Sequence, residues 1–247
     1  MWVVVFPVLL VLDIIVACIY AKHSFPDTDK RAFLEKMLAS SIFVLSGVIA
    51  YWACGGDTYS KLIISALVCG IVGDALLSCD PFFSEKNKKK GIIVTTIVGA
   101  AFFLLGHALY IVAFIKEIKR LEAFRLPVFL AVLFLGIGVA VGATLILKLK
   151  PGKIGPPMLV YVLGLCSMGA LSINLALFGY RGAPLLQFLL VIAPIMFMTS
   201  DATLGLKFSD NDRFSTAKMR YLTLLTYYPA QMIFSVTIVL RVLYGLS

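Results

Sequence analysis

Apolar runs of about 20 residues alternate along this chain with short polar or Pro/Gly-rich joints. A run of that length with few charges crosses the hydrocarbon core of a bilayer as a helix. Eight are read: 2–21, 34–54, 58–79, 92–115, 127–148, 157–179, 184–205 and 219–244. Lys86–Lys90 follows the third run, Lys116–Arg125 the fourth, Lys148–Lys153 the fifth and Lys207–Arg220 the seventh. The pattern predicts an all-α polytopic transmembrane bundle of about eight spans, one domain over 1–247, with no separate soluble domain. Cys18 closes a segment faintly like a lipoprotein cleavage box. No basic residue precedes it and Asp13 interrupts the run, so a retained first span is expected.

Composition agrees. Hydrophobic residues make up 61% of the chain and charged ones only 14%, against about 25% in soluble domains, so one water-soluble core cannot hide this apolar surface. The formal charge of +9 lies mostly in the joints. That distribution speaks for membrane orientation and anionic headgroups rather than for nucleic acid. About 15 of the lysines and arginines fall at the odd-to-even joints and about 7 at the others, which predicts that the first face is cytoplasmic and the termini are outside or lumenal. The basic joint between spans four and five runs against the trend. The five cysteines show no ligand-like or disulfide spacing and read as small buried apolar groups.

Ionisable residues inside the runs change the picture most, because each costs roughly 2.5 kcal/mol or more to insert. Asp201 sits in Met198-Thr-Ser-Asp-Ala-Thr-Leu-Gly-Leu-Lys207, and Gly73-Asp-Ala-Leu-Leu77 repeats its pattern at the end of the third run. Both runs point the same way. The two carboxylates are then expected roughly 6–8 Å inside one boundary, able to meet if their helices are neighbours. The echo also suggests two parallel four-helix halves.

Polar residues add stripes at helical spacing: Gly99, Phe103, His107 and Tyr110 in span four, and Tyr228, Gln231 and Ser235 in span eight. Lys36 opens span two, with Ser40 one turn on. Such groups face a bundle interior. They predict a polar chamber with Lys36, Asp74 and Asp201 at its cytoplasmic mouth and His107 deeper. Ser167, Asn174 and Ser235 read as interhelical hydrogen bonders. Asp13 has no patterned company, and no span residue nearby is an obvious structural counter-ion for both Asp74 and Asp201. A close carboxylate pair separates into one acid and one anion, which suits acid cleavage through an oxocarbenium-like state or proton-coupled transport. Gly-x-Ser-x-Gly and HExxH are absent, and two histidines, one of them His23 in a loop, do not make a His-rich metal site.

Gly73-Asp74-x-x-Leu77, Gly106-His107-x-x-Tyr110, Ser200-Asp201-x-x-Leu204 with Lys207-Phe208, and Tyr227-Tyr228-Pro-Ala-Gln231 follow one another in order. On these motifs the chain resembles the lysoplasmalogenase, or YhhN-like, family from the second span onward. Lys36 resembles the lysine that opens the family's second span, without the proline expected soon after. Lys207 stands where arginine is common, and Pro229 is expected to kink span eight. The resemblance implies hydrolysis of the vinyl-ether bond of a lysophospholipid drawn from membrane lipid, without a cofactor. It implies catalysis by Asp74 and Asp201, with His107, Tyr228 and Gln231 positioning water or acid. Lys36 would hold the phosphate, and Tyr110, Ser200 and Tyr227 would line the substrate site. A bacterial inner membrane or an endoplasmic-reticulum-type membrane is the expected location. The rival readings are a non-catalytic transporter or lipid-binding protein and, more remotely, a receptor; oligomeric state is not legible.

Overall fold

The structure is a computed structural model that describes residues 2–24, 29–84, 86–149, 155–209 and 211–246. Eight helices are long and apolar enough to cross a membrane. They are α1 (Trp2–His23), α2 (Lys30–Ala53), α3 (Thr58–Leu77), α4 (Lys88–Arg120), α5 (Leu126–Ile146), α6 (Gly155–Asn174), α7 (Pro184–Ser209) and, after the short α8 (Asn211–Phe214), α9 (Ala217–Leu243). A single π-helical stretch, Leu175–Gly179, prolongs α6. All eight predicted runs are helices. The differences lie at the ends, because helices continue past the apolar stretch. Lys116–Arg120 belongs to α4 and His23 to α1, and α7 runs on to Ser209. Long basic side chains allow this, since their stems lie on apolar surface while their heads reach water. Lys150 and Lys153, which the joint count includes, lie outside the described residues.

Local sequence explains the starts. Asp29 accepts a bond from the Ala32 N–H at 2.7 Å, and Thr216 accepts from Met219 at 3.2 Å, each meeting an orphan donor of a first turn. Asp57 and Ser60 form a reciprocal capping box at α3. Helix α9 remains helical through Pro229.

Helix α9 is the hub: it packs on α1, α2, α3 and α7. The tightest pairs are α3 with α4 and α7 with α9. Consecutive helices pack in both halves of the chain, and α2 leans on α9 as α6 leans on α4. This is the neighbour pattern expected of two four-helix halves. It breaks at α1 and α5: α1 also closes on α9, whereas α5 packs mainly on α6 and has no buried residue. Close approach of α3 to α4 and α9 needs glycine. A Cβ on Gly73 would meet the Phe103 ring at 2.8 Å, and one on Gly70 would meet Gln231 Nε2 at 2.9 Å.

At the end where α3 begins and α4 and α9 finish, an ionic clamp ties the helices. Arg241 donates to Glu117 at 3.0 Å and to Asp57 at 2.8 Å, with its guanidinium 4.1 Å above the Tyr59 ring. Tyr180 and Arg120 also donate to Glu117. Arg120 further donates to the Leu246 carbonyl.

Candidate functional site

Two carboxylate centres occupy the other half of the bundle. The first is Asp74 on α3. Lys36 Nζ lies 3.1 Å from Asp74 Oδ1, and Ser40 donates to Oδ2 at 2.8 Å. Both side chains of the ion pair are over 90% buried. The Tyr227 hydroxyl lies beside the same carboxylate. Helix α2 presents Lys36 and Ser40 one turn apart, and its packing against α3 makes the pair. The sequence reading found no counter-ion common to both aspartates; the structure gives Asp74 one of its own in Lys36. Thirty-eight positions separate the partners, and only the mutual rotation of two helices joins them.

The second centre is Asp201 on α7. Tyr161 of α6 donates to Asp201 Oδ2 at 2.6 Å. His107 Nε2 stands 3.6 Å from the same oxygen, beyond hydrogen-bond reach. The imidazole is wedged edge-on between the Tyr161 ring at 5.3 Å and the Phe197 ring at 5.1 Å, and neither ring nitrogen has a hydrogen-bond partner among the described residues. No lysine or arginine pairs with Asp201 among the described residues.

The two carboxylates do not hydrogen-bond each other, and α3 and α7 are not principal packing partners. They are still close enough for their charges to act on one another. Between them runs a polar string across α4 and α9. Tyr110 donates to Gln231 Oε1 at 2.7 Å, and Gln231 Nε2 donates to the Tyr227 hydroxyl at 3.3 Å. A narrow cleft lies alongside, lined by Ala66, Gly70, Phe103, Gly106, His107, Tyr110, Phe197 and Gln231. It is nowhere wide enough for a water molecule.

The YhhN family model matches residues 32–238, most of the chain. This chain belongs to the YhhN family, the lysoplasmalogenase family. Comparison with curated proteins finds no match, and neither does comparison with solved structures. The family match takes in every side chain of both centres but begins inside α2, so α1 lies outside it.

The YhhN motifs thus converge from α3, α4, α7 and α9. Among the described residues the polar chamber expected from the stripes narrows to that cleft. Aromatic rings fill the space instead: Tyr227 packs against Phe43, Phe103, Phe197 and Tyr228 with centroids 5.1–6.0 Å apart. The Tyr228 hydroxyl lies near Ser40 without closing a hydrogen bond. Ser200 is buried one position before Asp201. Asp201 stands eight residues before the end of α7 and Asp74 three before the end of α3. Ser235 bonds Ser46 at 2.6 Å, and Asn174 bonds the Arg125 backbone; both are structural, as read. The sequence reading missed Tyr161. Its signal was a phenol one turn before Gly164 in span six. The five cysteines are unpaired, and the described residues hold no group of three His, Cys, Asp or Glu suited to a metal ion.

Proposed function

We propose that this YhhN protein hydrolyses the vinyl-ether bond of lysoplasmalogens, releasing a fatty aldehyde and a glycerophospho-base. The observation that carries the reading is the asymmetry of the two carboxyls. Asp74 is matched by the Lys36 ammonium, whereas Asp201 is met by a phenol and an imidazole. An anion and a proton donor that both face the substrate are what vinyl-ether cleavage needs. Asp201 is assigned as the acid and Asp74 as the anion.

Asp201 gives its proton to the alkene carbon beyond the ether-bearing one. The electron pair of the double bond forms the new C–H bond, leaving an oxocarbenium ion that the Asp74 carboxylate steadies. Water adds to the cationic carbon and loses a proton to Asp201. The hemiacetal then collapses: its hydroxyl proton leaves, the C–O bond to glycerol breaks, and the glycerol oxygen is protonated. One water is consumed and Asp201 ends as it began. Tyr161 orients Asp201, His107 borders it, and Tyr110, Gln231 and Tyr227 shape the wall between the centres. Lys207 and Arg220 stand within charge reach of Lys36, and this cationic end suits the phosphate. The aromatic plug around Tyr227 shifts to admit the chain.

Detergent-purified protein given choline and ethanolamine lysoplasmalogens, with aldehyde release as the readout, tests the reading. Release that disappears in Asp74→Asn and Asp201→Asn upholds it. Full activity in both variants overturns the mechanism. Proton flux in liposomes without aldehyde release overturns the hydrolase reading in favour of transport.

A further inference from the structure

Helix α1 lies outside the family match, yet it packs on α2 and α9 and closes one side of the Asp74 centre. Its inner face includes Asp13, Val16, Ala17 and Tyr20, all buried and at the i, i+3, i+4 and i+7 positions of a helix. Asp13 has no exposed surface, and neither of its oxygens has a hydrogen-bond partner among the described residues. The Tyr228 hydroxyl of α9 is in the same condition. Buried polar groups left without a partner are uncommon, and each asks what it is there to meet.

Ring contacts fix where Asp13 stands. Tyr20 lies beside Lys36 of α2, with the ammonium 5.9 Å from the ring centroid. Helices α1 and α2 are successive spans and run in opposite directions. Two turns back along α1 from Tyr20 therefore match two turns on along α2 from Lys36. That places Asp13 opposite the Ser40–Phe43 turn. Ser40 of this turn donates to Asp74, and the Phe43 ring packs on the Tyr228 ring with centroids 6.1 Å apart. Asp13 and the Tyr228 hydroxyl are within charge reach of each other. The carboxyl and the phenol thus share one corner, on the membrane side of Lys36 and beside Asp74.

The two groups together define what they would hold. A carboxyl oxygen accepts and a phenol donates, so a group that meets both must donate and accept at once. A phosphate only accepts and leaves Asp13 unmet; an ammonium only donates and leaves the phenol proton unmet. A hydroxyl does both. Depth agrees with this. When the phosphate of a lysophospholipid sits at Lys36, its headgroup amine lies on the water side and its glycerol on the membrane side, where Asp13 and Tyr228 are. We propose that Asp13 and Tyr228 form the subsite for the free glycerol hydroxyl of the lysolipid, Asp13 accepting a hydrogen bond from it and Tyr228 donating one to its oxygen. A lipid with a second acyl chain has no hydroxyl to offer there and would leave both groups unmet, so the subsite selects lysolipids. Holding the hydroxyl toward α1 turns the vinyl ether on the neighbouring carbon the other way, toward Asp74 and Asp201. No covalent bond is made or broken in this step.

The identity of the lipid rests on the hydrolase reading, and the test separates the two. Purified protein is given a choline lysoplasmalogen and its 2-deoxy analogue, which lacks only the glycerol hydroxyl, and kcat/KM for aldehyde release is compared. The wild type is expected to prefer the hydroxyl-bearing lipid roughly 10- to 100-fold, the worth of a hydrogen bond to a charged group. In Asp13→Leu the ratio is expected to fall to about one, with the loss confined to the hydroxyl-bearing lipid. Asp13→Leu removes no native hydrogen bond and is expected to fold. Asp13→Asn, which keeps an accepting oxygen, is expected to retain part of the ratio, and it carries the test should Asp13→Leu not fold. A wild-type ratio near one, or a ratio unchanged in both variants, overturns the inference and leaves the hydrolase reading standing; a bridging water or a purely structural Asp13 gives that result. If neither lipid yields aldehyde, the hydrolase reading falls. Binding of the saturated 1-alkyl lysolipid and its 2-deoxy analogue, read by displacement of a fluorescent lysolipid, then decides. A preference for the hydroxyl that is lost in Asp13→Leu upholds the subsite, and no preference overturns it.

Discussion

The bundle has two buried polar regions, and they are built on opposite terms. In the clamp, Glu117 accepts from Arg241, Arg120 and Tyr180, and Arg241 spans to Asp57 while stacking on Tyr59. In the site half, both Asp13 oxygens, both His107 nitrogens and the Tyr228 hydroxyl have no hydrogen-bond partner among the described residues. Satisfied networks hold helices in register, whereas partly satisfied ones cost stability and persist where chemistry needs free donors and acceptors. The clamp's three helices, α3, α4 and α9, also carry Asp74, His107 and the Tyr227–Gln231 string. The satisfied end thus sets the rotation that aligns the unsatisfied one.

Substitutions should separate the two regions. The largest effect is expected for Asp201→Asn and Asp74→Asn, with aldehyde release down roughly 100- to 10,000-fold in each. The thermal midpoint in detergent should stay nearly unchanged in Asp201→Asn and fall in Asp74→Asn, which leaves the buried Lys36 without its counter-ion. A midpoint that falls in Asp201→Asn would place that carboxyl with the clamp instead. Next comes Arg241→Met, which leaves the buried Glu117 carboxylate short of a cation and the half-exposed Asp57 unpaired. It should cost about 3–5 kcal/mol of stability and lower the turnover of the protein still folded far less than Asp201→Asn does. Arg241→Lys should recover only part of this, because an ammonium cannot bridge two carboxylates and stack on Tyr59.

Gly70→Ala comes third. Its Cβ would press on Gln231 Nε2 and the Tyr227 hydroxyl, so overpacking of about 1–3 kcal/mol should appear in stability together with lost activity. Tyr161→Phe removes one hydrogen bond to Asp201. It should lower turnover about tenfold with little change in midpoint, and an unchanged rate would remove Tyr161 from the site.

The smallest effect concerns pH at the clamp. Burial would raise the Asp57 carboxyl, but the Ser60 N–H and hydroxyl and the Arg241 guanidinium together hold it below its ordinary value. Asp57 is partly exposed, so the contribution is small. A carboxyl lowered in the folded state stabilises above its ordinary value, and that stability is lost as pH falls through the lowered one. Thermal midpoints should therefore decline at acid pH, and less steeply in Arg241→Met than in wild type. Equal slopes would remove Arg241 as a cause.

Much of the site was legible because its residues break strong local patterns. Asp74 and Asp201 interrupt apolar runs, and His107, Tyr110, Tyr228 and Gln231 recur at helical spacing. Lys36 was seen as an opener of its span but not as the partner of Asp74. Arg241 was one of the about seven basic residues counted on the second face, although it is buried at the centre of the clamp. Asp13 had no patterned company in the sequence, and in the fold it is fully buried with no hydrogen-bond partner for either oxygen among the described residues. Tyr161 was lost among apolar neighbours, since one phenol in a hydrophobic span is unremarkable until its hydroxyl finds a carboxylate. The chamber was misjudged because stripes show which face turns inward, not how fully aromatic rings fill the space behind it.

By itself the sequence determined the eight spans, their order and the polar face of several of them. Hydropathy acts segment by segment, and each helix satisfies its own backbone in the membrane whatever its neighbours do. Only the tertiary structure decided which carboxyl has a cation, which has a phenol and which has neither. Those partners lie on different helices, brought together by how each one rotates and packs against the next. Apolar content constrains that rotation weakly, since lipid and helix interior are almost equally apolar. Small residues such as Gly70 and Gly73 and the clamp at the far end set it instead.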